Sequence, residues 1–352
     1  MNKVIEVIRR DRLYILLLIF VILVNIASAA PVRLKSKTGI KTAKPVAEAG
    51  VSEKDITAAK QKKVETLFNE NRSLALVFSL ATLLFIAVFL LGLIIDGILA
   101  VSRLRRGPLD ISTYKPDRIR WGLWDVAKVG ILFLFFGYMA VFIEVALAKV
   151  FPVLRNSNFR MVLNSSVLDV LVIVFILYFT VGRYKEKLIS LGISFRNFSK
   201  NVFYGLTGYI AMLPILVALL VLTFILMSLF KYTPQKQAVV ELFLKEKGTR
   251  FLLYTSIFAA VVGPVIEELF FRGFLYNAIK KYIGALAAML ITALIFAVLH
   301  AHVAGFLPIM ALGMLLAYMY EKTGTLVASI TVHIMHNLSM VLLVFMIRQL
   351  GV

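Results

Sequence analysis

Apolar residues run through this chain in long unbroken blocks, not at alternate positions and not in narrow helical stripes. Nine blocks lie near 13–30, 74–101, 122–150, 161–182, 203–230, 253–279, 283–301, 304–320 and 325–347. A bilayer core takes about 20 apolar residues of helix, and a helix apolar on every face must be buried in protein or lipid. The pattern predicts an all-α fold, a polytopic membrane helical bundle of about eight or nine transmembrane helices. The block near 304–320 is short and carries Pro308 and Gly313, so a tilted or broken span is expected there.

The polar segments between blocks differ in kind. Segment 31–72 is rich in Lys, Ala, Thr and Glu, with few large apolar residues before Leu67; disorder or a weak helix is expected. Stretches 188–196 and 235–249 are amphipathic and basic, which suits the membrane surface. The second reads either as an interfacial lid or as a tether between spans. Longer connections and scattered charges set residues 1–184 apart as an N-terminal transmembrane region, with a second domain over 185–352. At the start, basic residues precede an apolar run and Ala27-Ser28-Ala29, an arrangement like a secretory signal. Pro31 follows too closely for good cleavage, which favours an uncleaved first helix.

Composition sharpens the membrane reading. Hydrophobic residues make up 61% of the 352 positions, against about 45–50% in soluble domains. The expected location is an integral, multi-pass place in the cell or inner membrane. Net charge is +20, but the bases are spread through loops and form no stripe interleaved with aromatics. Nucleic acid is therefore not an expected partner; anionic lipid is. The bias of Lys and Arg puts the N-terminus and loops 102–121 and 183–200 on the cytoplasmic side, although basic loop 31–72 opposes it. No cysteine is present, which excludes disulfides, thiolate catalysis and Cys-ligated metal. Gly-x-Ser-x-Gly, His-Glu-x-x-His, P-loop and dinucleotide motifs are also missing.

The chemistry lies in the last spans. Glu267 and Glu268 stand side by side within an apolar run, where each carboxylate costs on the order of 3 kcal/mol on insertion scales. From Phe251 onward the acidic residues are these two and Glu321, and all four histidines (His300, His302, His333 and His336) share the region. Glu268 and Arg272 are four apart, one above the other on a helix, and can pair. Glu267 is rotated by about 100°; it is the freer carboxylate, suited to activating water. Gly263-Pro264 one turn earlier predicts a kink. Phe296 lies one turn before His300 and can pack on its ring, while His302 points away. His333, His336 and Asn337 fall within one helical face. Asp96, Glu144 and Asp169 also sit in or near apolar spans. Having no His neighbour, they are expected near helix ends or paired with bases such as Lys128 or Lys149.

Glu267-Glu268-x-x-x-Arg272, Phe296-x-x-x-His300 and His333-x-x-x-Asn337, in order on successive spans, resemble the signature of the CAAX prenyl protease / bacteriocin-processing (CPBP, or Abi) family. This family of intramembrane endopeptidases includes the Ras-converting CAAX enzymes. The resemblance covers about 185–347. It implies that Glu267 is the general base, that Glu268 and Arg272 are the supporting pair, and that His300 is the second ligand of the water. It further implies that His333 and Asn337 are oxyanion donors and that Phe296 is a packing residue; His302 and His336 have no counterpart. The implied substrate is a membrane-associated protein or peptide, with CAAX-type processing by analogy. Phe270, Phe271, Phe274 and Phe306 could line a prenyl groove but more ordinarily would be core or lipid-facing. Glu267, His300 and His333 could hold zinc with water in the fourth position. The residues four from the key histidines are Phe296 and Asn337, so no His-x-x-x-His pair exists, and a metal-free glutamate-type site is favoured. A non-catalytic scaffold or bacteriocin-immunity-type protein is the alternative. A proton-relay transporter lacks support from any internal repeat.

Overall fold

A computed structural model describes residues 11–35, 53–106, 119–234 and 237–351. Among them the fold is all-α, with no strand. In chain order the helices are α1 (Arg12–Lys35), α2 (Glu53–Glu70), α3 (Arg72–Arg106), α4 (Leu123–Leu147) and α5 (Ser157–Leu177, running on through Tyr178–Arg183). Then follow α6 (Phe198–Leu229), α7 (Ala238–Lys245), α8 (Thr249–Ile283), α9 (Ala285–Leu299), α10 (Phe306–Thr323) and α11 (Leu326–Leu350). Seven are long and apolar enough to cross a membrane, and α1 and α9 are shorter apolar helices. The chain is an integral, multi-pass membrane protein.

Helices α6, α8, α9, α10 and α11 form the centre of the bundle, with α3 against α6, α1 against α4, and α4 against α5. Lipid tails give no hydrophobic drive for helix association, so close contact at small residues matters. Gly205 is such a point: a Cβ there would lie 2.6 Å from Thr331 Cβ and 2.7 Å from the Ala328 carbonyl. It lets α6 lie directly on α11. The main core joins Trp121, Ile176 and Phe179 to Phe274, Phe296 and Tyr320. Trp121 stacks on Phe274 at 5.7 Å and donates its indole N–H to the Phe274 carbonyl at 3.1 Å. The far end of α8 is tied to α10 through buried Glu321, which accepts from Lys280 Nζ at 2.6 Å and from the Tyr276 hydroxyl at 2.8 Å.

Several expectations change. The 304–320 span is neither broken nor interrupted: Pro308 is the third residue of α10, inside the first turn, where its missing N–H removes no helical bond. Within 31–72, residues 36–52 lie outside the described residues, but Glu53–Glu70 is a helix with Phe68 against Phe78 of α3 at 5.3 Å. Stretch 188–196 keeps Leu188, Ile189 and Phe195 exposed but turns inward at its middle. A single tight turn, Leu188–Leu191, ends at Gly192 with φ +80°, and Leu191 is fully buried. Leu191 enters the bundle where Gly273 on α8 leaves room for its carbonyl, which a Cβ would meet at 2.8 Å. The stretch 235–249 holds the amphipathic α7. Its Leu242 and Phe243 are buried with Val162, Leu252, Ala260 and Val341, and Arg348 donates to the Phe243 carbonyl at 3.0 Å. Glu144 lies near a helix end, as expected, three residues before the end of α4, and accepts from Asn164 at 3.0 Å, while Lys128 pairs with Asp11 at 2.8 Å.

Candidate active site

The site is built on a deformed α8. Its regular winding is interrupted by two wide turns, Phe258–Val262 and Leu269–Tyr276, with the regular segment Gly263–Glu268 between them. The Gly263 N–H reaches five residues back to the Phe258 carbonyl. Pro264 follows immediately, so the expected kink is expressed as a widened turn that absorbs the proline's missing donor. The two glutamates end the short regular segment.

Glu268 and Arg272 are both fully buried. Arg272 Nη1 donates to Glu268 Oε1 at 2.7 Å, and Nη2 donates to the Gly313 carbonyl on α10 at 3.1 Å. The guanidinium also lies over the Phe296 ring at 4.8 Å. Two opposite charges with hydrogen bonds and an aromatic face can tolerate burial that either alone could not. Gly313 permits this approach: a Cβ there would lie 3.1 Å from Ala293 Cα.

His333 is the third member. It is buried on α11, and its Nδ1 lies 3.0 Å from Glu268 Oε1. A carboxylate only accepts, so Nδ1 carries the proton and Nε2 is left facing Glu267. Nε2 to Glu267 Oε2 is 3.7 Å, too long for a direct hydrogen bond and suited to a bridging water. Glu267 is 36% exposed, yet its Oε2 is buried without a partner among the described residues.

His300 follows the last residue of α9. Its Nδ1 lies 2.7 Å from the Phe296 carbonyl, one of the acceptors that a helix C-terminus leaves open. That contact makes Nδ1 the donor and Nε2 the free acceptor. Ala301, in left-handed conformation at φ +49°, ends the helix there. Phe296 spaces the two imidazoles, with ring centroids 4.4 Å from His300 and 5.6 Å from His333. Asn337 donates to the Ala259 carbonyl at 2.9 Å, in the first wide turn of α8, leaving one amide N–H.

The predicted residues therefore fall into sub-groups. Glu267, Glu268, Arg272, Phe296 and His333 form one cluster. His300 joins it through Phe296, and Asn337 borders it at Ala259. His336 does not share the face: its ring lies 6.2 Å from Tyr209 on α6. At about 100° per residue, His336 and Asn337 diverge enough for one to face α6 and the other α8. His302 lines a cavity of about 640 Å³ with Leu226, Met227, Ala297, Val298 and Phe306, and its burial there holds the imidazole below its ordinary pKa. Of the four phenylalanines considered for an apolar groove, Phe306 lines this cavity, whereas Phe271 and Phe274 are buried in the core.

Among the described residues no three His, Asp or Glu side chains are grouped as a metal site requires. The side chains as arranged do not fit a zinc held by Glu267, His300 and His333. Two contributors escaped the sequence reading. Gly313 was legible only as a helix breaker, and the Ala259 carbonyl becomes an acceptor only because the turn is wide.

Residues 249–339 match the family model described as type II CAAX prenyl endopeptidase Rce1-like. Over 87 residues the chain is 31% identical to "Putative membrane peptidase YdiL" of Bacillus subtilis (strain 168), a match covering 25% of this chain and 36% of that protein. The chain thus matches little more than a third of the length of that curated relative. No solved structure matches. Both likenesses are to membrane peptidases or CAAX endopeptidases, and the stretch matched by the family model begins at α8 and contains Glu267 through Asn337.

Proposed function

We propose that the chain is an intramembrane endopeptidase that hydrolyses a peptide bond of a membrane-associated protein or peptide, of CAAX type by its likeness to that family. The observation that carries this is the division of labour between adjacent carboxylates. Glu268 accepts from both Arg272 and His333 at Oε1, whereas Glu267 has no hydrogen-bond partner among the described residues and its Oε2 lies 3.7 Å from His333 Nε2.

In this reading water sits between Glu267 and the free Nε2 of His300. Glu267 takes one water proton as the water oxygen bonds to the scissile carbonyl carbon, and the carbonyl π pair moves onto its oxygen. The remaining N–H of Asn337 donates to that oxyanion. His333 can add a second donor through Nε2 only when both its nitrogens are protonated, because Nδ1–H is committed to Glu268. Each such donor contributes about 3 kcal/mol in a dry site. As the tetrahedral intermediate collapses, the C–N bond breaks and Glu267 returns its proton to the amine. A carboxylate-containing fragment and a new amine leave, and no step is routed through a metal.

The test is comparative membrane proteomics of cells carrying wild type or Glu267→Gln. Uncut substrate should accumulate with the variant while protein level and folding stay at wild type. Equal processing by a folded Glu267→Gln protein overturns the reading and leaves the non-catalytic scaffold in its place.

A further inference from the structure

Beyond Phe251 the sequence holds three acidic residues, and the site accounts for two of them. The third, Glu321, is fully buried near the end of α10. It accepts from Lys280 Nζ at 2.6 and 2.7 Å and from the Tyr276 hydroxyl at 2.8 Å. One residue away, Asn277 donates to the Tyr320 hydroxyl at 2.7 Å, and the Tyr276 and Tyr320 rings meet edge to face at 5.8 Å. All these contacts join α8 to α10. The same two helices meet again at the site, where Arg272 Nη2 donates to the Gly313 carbonyl at 3.1 Å. The chain reverses before and after α9, so α8 and α10 run parallel. Arg272 and Lys280 are eight residues apart, and so are Gly313 and Glu321. The two helices thus carry matching rungs about 12 Å apart. The wide turn Leu269–Tyr276 includes Arg272 of one rung and ends at Tyr276 of the other. An unusual winding persists only where its surroundings fix it, and here the fixing contacts are polar. A buried ion pair adds little stability over apolar residues of similar volume, and one of its uses is to specify register.

We propose that Glu321 is a positioning residue for the reaction: from two helical turns away it fixes the register of α8 against α10, so that Arg272 reaches Glu268 and the Gly313 carbonyl at once. Its effect on turnover rests on the endopeptidase reading; its effect on the geometry of Arg272 and His333 does not. Glu321 touches no reacting group. Its influence travels through the wide turn to the guanidinium, and from there to the Glu268 oxygen that Arg272 and His333 share. With the lower rung removed, the turn is held at the Arg272 end alone by a single arm on a backbone carbonyl. His333 Nε2, which faces Glu267, then loses the orientation that its Nδ1 contact gives it.

The register can be read without a substrate. The chain has four histidines, so ¹⁵N-labelled imidazoles of the full-length protein in lipid give few signals, and His333 is the one that survives when the other three are replaced in turn. The triple variant Tyr276→Phe/Lys280→Met/Glu321→Met removes the charged pair and its tyrosine together and should keep the wild-type unfolding midpoint. The proposal requires the His333 Nδ1–H signal to move nonetheless. A folded triple variant with the wild-type His333 signal overturns it, since a purely structural role would leave that signal in place. Should the triple variant fail to fold, Lys280→Cys/Glu321→Cys offers a second route. The chain has no other cysteine, so a short bis-thiol reagent joins only these two positions. Joining them should return a displaced His333 signal to its wild-type position. A signal that is never displaced, or that stays displaced after joining, overturns the proposal. Failure of both proteins to fold overturns it too, because Glu321 is then an element of stability alone. In turnover of a protein that accumulates uncut with Glu267→Gln, the folded triple variant should lose about 100-fold in kcat at unchanged KM; an unchanged kcat removes the role in the reaction. If Glu267→Gln accumulates nothing, the endopeptidase reading falls, and the His333 signal alone decides the register.

Discussion

His333 and Arg272 meet at a single atom: His333 Nδ1 lies 3.0 Å from Glu268 Oε1, the oxygen that also accepts Arg272 Nη1 at 2.7 Å. This one buried oxygen joins α8 to α11. Through the second arm of Arg272, which reaches the Gly313 carbonyl, α10 is joined as well.

Glu268 and Glu267 should therefore separate stability from activity. Glu268→Gln strands the fully buried Arg272 charge, and removing one partner of a buried pair costs about 3–5 kcal/mol. Glu267→Gln breaks no such pair and should stay within about 0.5 kcal/mol of wild type. Unfolding in matched lipid–detergent mixtures measures both. Equal stability of the two variants would contradict the assignment.

Gly313→Ala places a methyl group 3.1 Å from Ala293 Cα, at the contact that brings the Gly313 carbonyl to Arg272. The overpacking should cost about 1–3 kcal/mol. Because the displaced carbonyl is an Arg272 acceptor, cleavage should fall too, although residue 313 touches no reacting group. An unchanged unfolding midpoint would show that α9 and α10 do not meet this closely.

Ala301 ends α9 at φ +49°, next to His300. A left-handed alanine is disfavoured by roughly 1–2 kcal/mol, a strain that glycine does not carry. Ala301→Gly should raise stability by about 1 kcal/mol while keeping the His300 contact with the Phe296 carbonyl. The unfolding midpoint measures the first effect, and processing in cells measures the second.

Exhaustive chelation should leave turnover intact on any protein that accumulates uncut with Glu267→Gln, and purified enzyme should hold zinc well below one per chain. The arrangement behind this is that, among the described residues, no three His, Asp or Glu side chains are grouped to share one ion. Stoichiometric zinc together with chelator-sensitive cleavage would reverse it.

Much of the bundle was legible in the sequence because membrane spans are read from composition alone. All nine apolar blocks became helices, and the Glu268–Arg272 pair followed from four-residue spacing. The Phe296–His300 contact followed from the same rule. Other features depended on depth and on neighbours. Leu191 and Gly192 read as a surface stretch, yet a turn carries them into the core through the gap at Gly273. His336 parts from Asn337 because α11 has different neighbours on its two sides.

The two wide turns that bracket the glutamates each hold one residue more than ordinary winding would. Deleting a single position within 258–262 would return that turn to standard pitch and swing everything after it by about 100°. The chain would remain as apolar as before and would still insert in the bilayer. Glu268, however, would no longer be aimed at His333. In this protein the phase of one helix, set by an added residue, decides whether the Glu268–Arg272–His333 cluster assembles at all.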